Sequence, residues 1–204
     1  MNTAKTDIVL HPGTPIKIAI LAMGGQGGGV LADWIVEMAE NAGWWAQTTS
    51  VPGVAQRTGA TIYYLELIPE STAHAAGKPP TLAMMPTPGD LDLVVAAELM
   101  EAGRAMQRGL VTPDRTDPNK VIDAGRESAK RLMCFDLQEM AEKAGSVISA
   151  SLFGAIAGSG ALPFAREAFE ETVRHGGKGV EASLRAFALG FDAAQKAPAT
   201  PAAI

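Results

Sequence analysis

Hydrophobic and polar positions alternate with two different periods along this chain. Ile16 to Ala22, IKIAILA, is a run of seven mostly apolar residues, short enough for a strand buried on both faces, and it leads into five glycines within Gly24 to Gly29. Beyond them Val30, Leu31, Trp34, Ile35, Met38 and Ala39 fall at helical spacing. The pattern predicts a strand, a glycine turn and a helix that ends near Asn41 to Gly43, where Asn-Ala-Gly offers a left-handed cap. Trp44 to Ser50 reads as a second strand and Ile62 to Ile68 as a third, separated by a glycine-bearing connection. Residues 69–90 are rich in proline and predict an excursion over the surface. Leu91 to Ala97 returns to the buried-strand pattern, and Glu98 to Met106 to a short helix.

The second half changes character. Apolar positions Leu132, Met133, Leu137 and Met140 predict a helix over 129–143, followed by a nearly uncharged small-residue run, Ser146 to Leu162. Such a run either lies deep in the core or faces another subunit. Pro163 is expected in the first turn of a helix that Gly176 and Gly177 stop. Val180, Leu184, Phe187 and Phe191 then form one apolar stripe on the last helix. Alternating strands and helices imply an α/β fold: a Rossmann-like, open, mainly parallel sheet with helices on both faces and a C-terminal helical cluster from about residue 126. Residues 1–15 are expected to be a flexible arm, 16–197 one domain, and 198–204 a disordered tail.

Glycines let backbone N–H groups at a helix start approach an anion or another chain. Gly24, Gly25, Gln26, Gly27 and Gly28 are therefore candidate binding residues. A dinucleotide fingerprint would need a glycine at Ala22 and an acidic residue at the end of the second strand, where Gln47, Thr48, Thr49 and Ser50 stand. A conventional NAD site is not expected. Gln56 and Arg57, in the connection 51–61, are the other candidates, because loops at strand ends meet ligands and an arginine can neutralise a carboxylate or phosphate. Glu98 and Glu101 read as a solvated helix start.

The chain has 204 residues, 47% hydrophobic and 19% charged, enough for one domain with a substantial core. A net charge of −5 supplies no basic field for nucleic acid. One cysteine, Cys134, cannot supply a four-thiolate site or an internal disulfide, and reads as a buried thiol on a helix. His11, His74 and His175 have no metal spacing. Without a signal-peptide core or a membrane-length run, a cytoplasmic location and no membrane partner are expected. No catalytic residue and no metal ligand is assigned. From these residues alone, a freestanding flavin- or nucleotide-binding module stays open.

Three blocks in this order, GGQGGGVLADWIVEMAENAG, VPGVAQRTGATIYYLE and SLFGAIAGSGALPFAREAFEETVR, resemble the beta-subunit family of indolepyruvate ferredoxin oxidoreductases. That family corresponds to the gamma domain of pyruvate and 2-oxoacid ferredoxin oxidoreductases. The resemblance spans residues 16 to about 193. It implies a heteromeric enzyme that oxidatively decarboxylates aryl 2-oxoacids, passing the acyl group to coenzyme A and electrons to ferredoxin. Thiamine diphosphate, magnesium and iron–sulfur clusters would belong to a larger alpha subunit, with coenzyme A at the interface and none of these held tightly by this chain. After Thr116 the sequence passes directly to DPNKVIDAGRES, where the family pattern has a further strand.

Overall fold

The computed structural model describes residues 13–52, 61–75, 80–110, 125, 129, 131–177 and 179–197. The expected N-terminal arm for the most part, the tail, Gln56 and Arg57, and the stretch after Thr112 lie outside them. Strand β1 is Ile16–Ala22, helix α1 Gly28–Asn41, β2 Trp44–Val51, β3 Thr61–Pro69, α2 Glu70–Ala75, β4 Leu93–Ala96 and α3 Leu99–Gln107. The C-terminal cluster holds α4 Leu137–Ala144, α5 Ile148–Ser159, α6 Arg166–His175 and α7 Val180–Lys196.

The α/β architecture matches the expectation, but the pairing is mixed. Strand order is β2-β3-β1-β4, with β1 parallel to β4 and β3 antiparallel to both β1 and β2. Residues 52–60 alone separate β2 from β3, fewer than the dozen or more that a parallel crossover needs. The chain therefore returns antiparallel and inserts β3 into the gap between β1 and β2. Because two antiparallel steps restore direction, β2 runs parallel to β1. Among the described strands, β4 and β2 form the two edges.

Every β1 residue except Lys17 is buried, as a central strand covered on both faces should be. On one face Ile18 and Ile20 pack with Leu31 and Ile35 of α1, Leu152 and Phe153 of α5, and Phe169 of α6. Phe153 anchors this layer, with ring centroids 4.9 Å from Phe169 and 5.5 Å from Trp34. On the other face Ala19, Leu21 and Ile62 meet Ala105 of α3 and Leu110. A strap formed by residues 82–85 crosses that second face near β2. Buried Glu66 accepts from Tyr64 Oη at 2.5 Å and from the Ala83 N–H at 2.8 Å, while Thr49 Oγ1 donates to the Met84 carbonyl at 2.7 Å.

Most of the run Ser146 to Leu162 proves to be core, from Ile148 onward, while Val147 is exposed. Nearly all of α5 is buried, and it lies so close to α7 that three glycines are required. A Cβ on Gly158 would stand 2.4 Å from the Phe191 carbonyl oxygen, and one on Gly190 2.0 Å from that of Ser151. Three expectations are corrected here. The helix expected over 129–143 starts at Leu137, because the Asp136 carboxylate accepts from the Glu139 N–H at 2.8 Å and fixes the first turn there. Cys134 consequently precedes the helix and is exposed. Pro163 lies outside α6, whose N-cap is Ala165; Phe164 and Phe169, with centroids 6.5 Å apart, form the hydrophobic staple that sets this start.

Candidate functional site

Open α/β sheets bind ligands beyond the carboxyl ends of strands, where successive connections leave to opposite faces. β1 and β4 meet that description. The connection after β1 runs into α1 on one face, and that after β4 into α3 on the other. The Ala97 N–H donates to the Leu21 carbonyl at 3.0 Å, so the two strand ends stay in step. The glycine turn sits at this crevice.

The turn closes on itself. Gln26 donates its N–H to the Met23 carbonyl at 3.1 Å, and its Oε1 accepts from the Met23 N–H at 2.8 Å. Gly25 and Gly27 hold φ of +88° and +70°, a left-handed backbone that side chains disfavour. Gly28 is needed for room instead: a Cβ there would lie 2.7 Å from both Ala22 Cβ and Tyr63 Cε2. Gly24 and Gly25 are exposed, with nothing within 4 Å of a Cβ position. Gln26 thus has a structural duty, and the exposed surface of the turn is bare backbone.

Helix α1 begins with no side-chain cap and no acidic residue in its first turn, and α5 begins the same way. Their starts touch. Ser149, in the first turn of α5, is fully buried, and its Oγ lies 3.1 Å from where a Gly27 Cβ would be, with no hydrogen-bond partner. Two uncapped helix starts, unopposed by acid, give this corner a positive potential from backbone dipoles alone. The arrangement suits an anion such as a phosphate, or a carbonyl-bearing surface of another chain.

Gln56 and Arg57 lie outside the described residues, but the ends of their connection do not. Thr61 pairs with Ala22 and Val51 with Ile62, so the connection leaves and re-enters the sheet beside the glycine turn. Glu98 is the half-buried N-cap residue of α3, but Glu101 departs from the solvated helix start expected of it: it is fully buried, paired through Oε1 with Arg104, with Oε2 unpartnered. Among the described residues no group of three His, Cys, Asp or Glu could hold a metal ion, and no helix is long and apolar enough to cross a membrane. Ser149 escaped sequence reading, since a serine in a small-residue run carries no local mark of its contact with Gly27.

Comparison with known proteins agrees with this fold. Indolepyruvate oxidoreductase subunit IorB of Thermococcus kodakarensis is 26% identical over 88% of this chain and 96% of its own, and that of Pyrococcus horikoshii is 29% identical with the same coverage. Among solved structures, the Thermotoga maritima pyruvate oxidoreductase subunit PORC superposes with a TM-score of 0.64 at 19% identity, over 88% of this chain and 96% of that one. The 2-oxoglutarate:ferredoxin oxidoreductase of Magnetococcus marinus, solved with 2-oxoglutarate, coenzyme A and succinyl-CoA bound, gives 0.65 at 15% identity. There the match covers 92% of this chain and 32% of the longer one. Residues 17–193 match the sequence profile of the pyruvate ferredoxin/flavodoxin oxidoreductase family, and the chain belongs to that family.

Proposed function

We propose that this chain is the beta subunit of an aryl 2-oxoacid (indolepyruvate) ferredoxin oxidoreductase, inactive alone. A larger alpha subunit would hold thiamine diphosphate, magnesium and iron–sulfur clusters, and pass electrons to ferredoxin. The chemistry supplied there is oxidative decarboxylation of the 2-oxoacid with acyl transfer to coenzyme A. The observation that carries this reading is the exposed, uncapped glycine turn at the β1/β4 crevice, in a chain whose single cysteine cannot ligate a cluster.

The residues of the turn fit an anionic group of coenzyme A or a surface of the larger subunit. First-turn N–H groups of α1 would face a phosphate, Gly24 and Gly25 would let it approach, and Gln26 would hold the turn in shape. Gln56 and Arg57 would add an amide and a guanidinium from the neighbouring connection. The work of this chain is positioning and enclosure. Similarity to IorB subunits over nearly their whole length supports the assignment. The test is reconstitution: arylpyruvate-dependent reduction of a viologen dye should require both subunits. Turnover by the isolated chain, or a flavin or nucleotide released on its denaturation, would overturn the reading in favour of a freestanding binding module.

A further inference from the structure

A second site lies apart from the glycine turn. Beside the outer edge of β4, between α3, the start of α5 and residues 131–138, there is a cavity of about 730 Å³, within the range of small-molecule sites. Among the described residues its walls carry apolar Leu132, Met133, Phe135, Ile148, Ala102 and Met106 as well as polar groups. Arg131 lines it.

Among the described residues the guanidinium of Arg131 has no anionic partner. Nη1 donates to the Ser159 carbonyl at 2.6 Å, at the C-terminal end of α5, and this is its one bond. Nε is sealed from solvent without a partner, and burial pulls the guanidinium pKa down from its usual value, with no neighbouring charge to oppose that shift. A cation partly stripped of water and left unpaired costs free energy that an anion would offset. Of the described carboxylates on the wall, Asp136 caps α4 and Asp92 accepts from the Lys17 N–H. Glu98, the remaining one, forms no ion pair with Arg131.

Among the described residues the wall carries one cation without an anionic partner beside an apolar surface, which suits a ligand with one negative charge and an apolar body. We infer that the cavity beside β4 binds an apolar monocarboxylate, with Arg131 holding the carboxylate and the residues around Phe135 enclosing its body. No residue of the glycine turn lines this cavity, although both border the carboxyl end of β4, and the inference does not rest on the proposed function.

Cys134 also lines the cavity and is the single cysteine of the chain, which makes it a reporter for occupancy. Alkylation of Cys134 in the full-length chain, followed by mass spectrometry, would be measured with phenylacetate and with phenethylamine at millimolar concentration. Phenylacetate is expected to slow the reaction at least threefold and the amine to leave it unchanged. An Arg131→Met variant is expected to lose protection, its affinity for phenylacetate falling about tenfold or more, as for a lost hydrogen bond to a charged group. Because that variant also loses the bond to Ser159, the wild-type comparison stands without it. No protection by phenylacetate, or equal protection by the amine, overturns the inference, as does unchanged affinity in a folded Arg131→Met chain.

Discussion

A Cβ placed on Gly154 would stand 1.9 Å from the carbonyl oxygen of Phe187, so α5 and α7 meet backbone to backbone at this point. No rotamer change can relieve that clash, since the obstacle is main chain. Gly154→Ala should force the helices apart and cost roughly 3 kcal/mol or more, at the upper end of overpacking effects. Denaturant unfolding of the variant checks it; a loss below about 1 kcal/mol would mean that the two helices can slide.

The glycines of the turn should separate by mechanism. Gly28→Ala meets Ala22 and Tyr63, and should cost about 1–3 kcal/mol of stability. Gly25→Val meets open space, and its cost, roughly 1–3 kcal/mol, is that of its positive φ. In the assembled enzyme Gly25→Val should impair subunit association or ligand binding more than it impairs folding. Full activity of a Gly25→Val complex would reduce the loop to a turn.

Arg57→Ala should weaken binding of coenzyme A or of the 2-oxoacid by roughly 1.5–3 kcal/mol, with little change in Tm. KM values measured on the reconstituted enzyme decide this. Normal kinetics with lost stability or lost subunit binding would mark Arg57 as an ion-pair residue of the fold or interface.

Tyr64→Phe should loosen the strap. Glu66 would keep the Ala83 N–H but lose the Tyr64 hydroxyl in a buried place, a loss of about 1–2 kcal/mol. A Tm equal to that of the wild type would show that water replaces the hydroxyl without loss.

Glu170 gives the pH dependence. Hydrogen bonds from Arg166 at 2.6 Å and Arg174 at 3.0 Å, led by that of Arg166, hold its carboxyl below the ordinary value of 4.5. The folded state thus binds this proton less readily than the unfolded chain, so the stabilisation is complete above the unfolded pKa and is lost as pH falls through the folded one. Glu170→Gln should be less stable than wild type at neutral pH, with the gap closing on acidification. A gap that stays constant with pH would assign the difference to packing.

Contiguous features were the readable ones. β1, the glycine turn and α1 follow one another in sequence, and each carries its own period, so these three elements could be placed before any tertiary contact was known. The antiparallel insertion of β3 was not readable, because pairing of Ala22 with Thr61 is a long-range choice that no local period encodes. The start of α4 was readable but missed: Asp136 followed by Glu139 is a cap signal, overridden in the reading by apolar Leu132 and Met133. These two line the cavity instead. Arg131 and Ser149 left no trace, as an unpartnered state belongs to the surroundings and not to the residue.

The position of β1 in the sheet also sets an order on biosynthesis. Its two neighbours arrive late: Ile16 waits for Leu67, and Ile18 waits for Leu93, 75 residues further along. At a synthesis rate of about 5–20 residues per second, the most buried strand of the sheet stays without its full set of partners for several seconds on the ribosome. α1 can shield one side of it during that interval, while the side later closed by α3 stays open to chaperones or to neighbouring nascent chains.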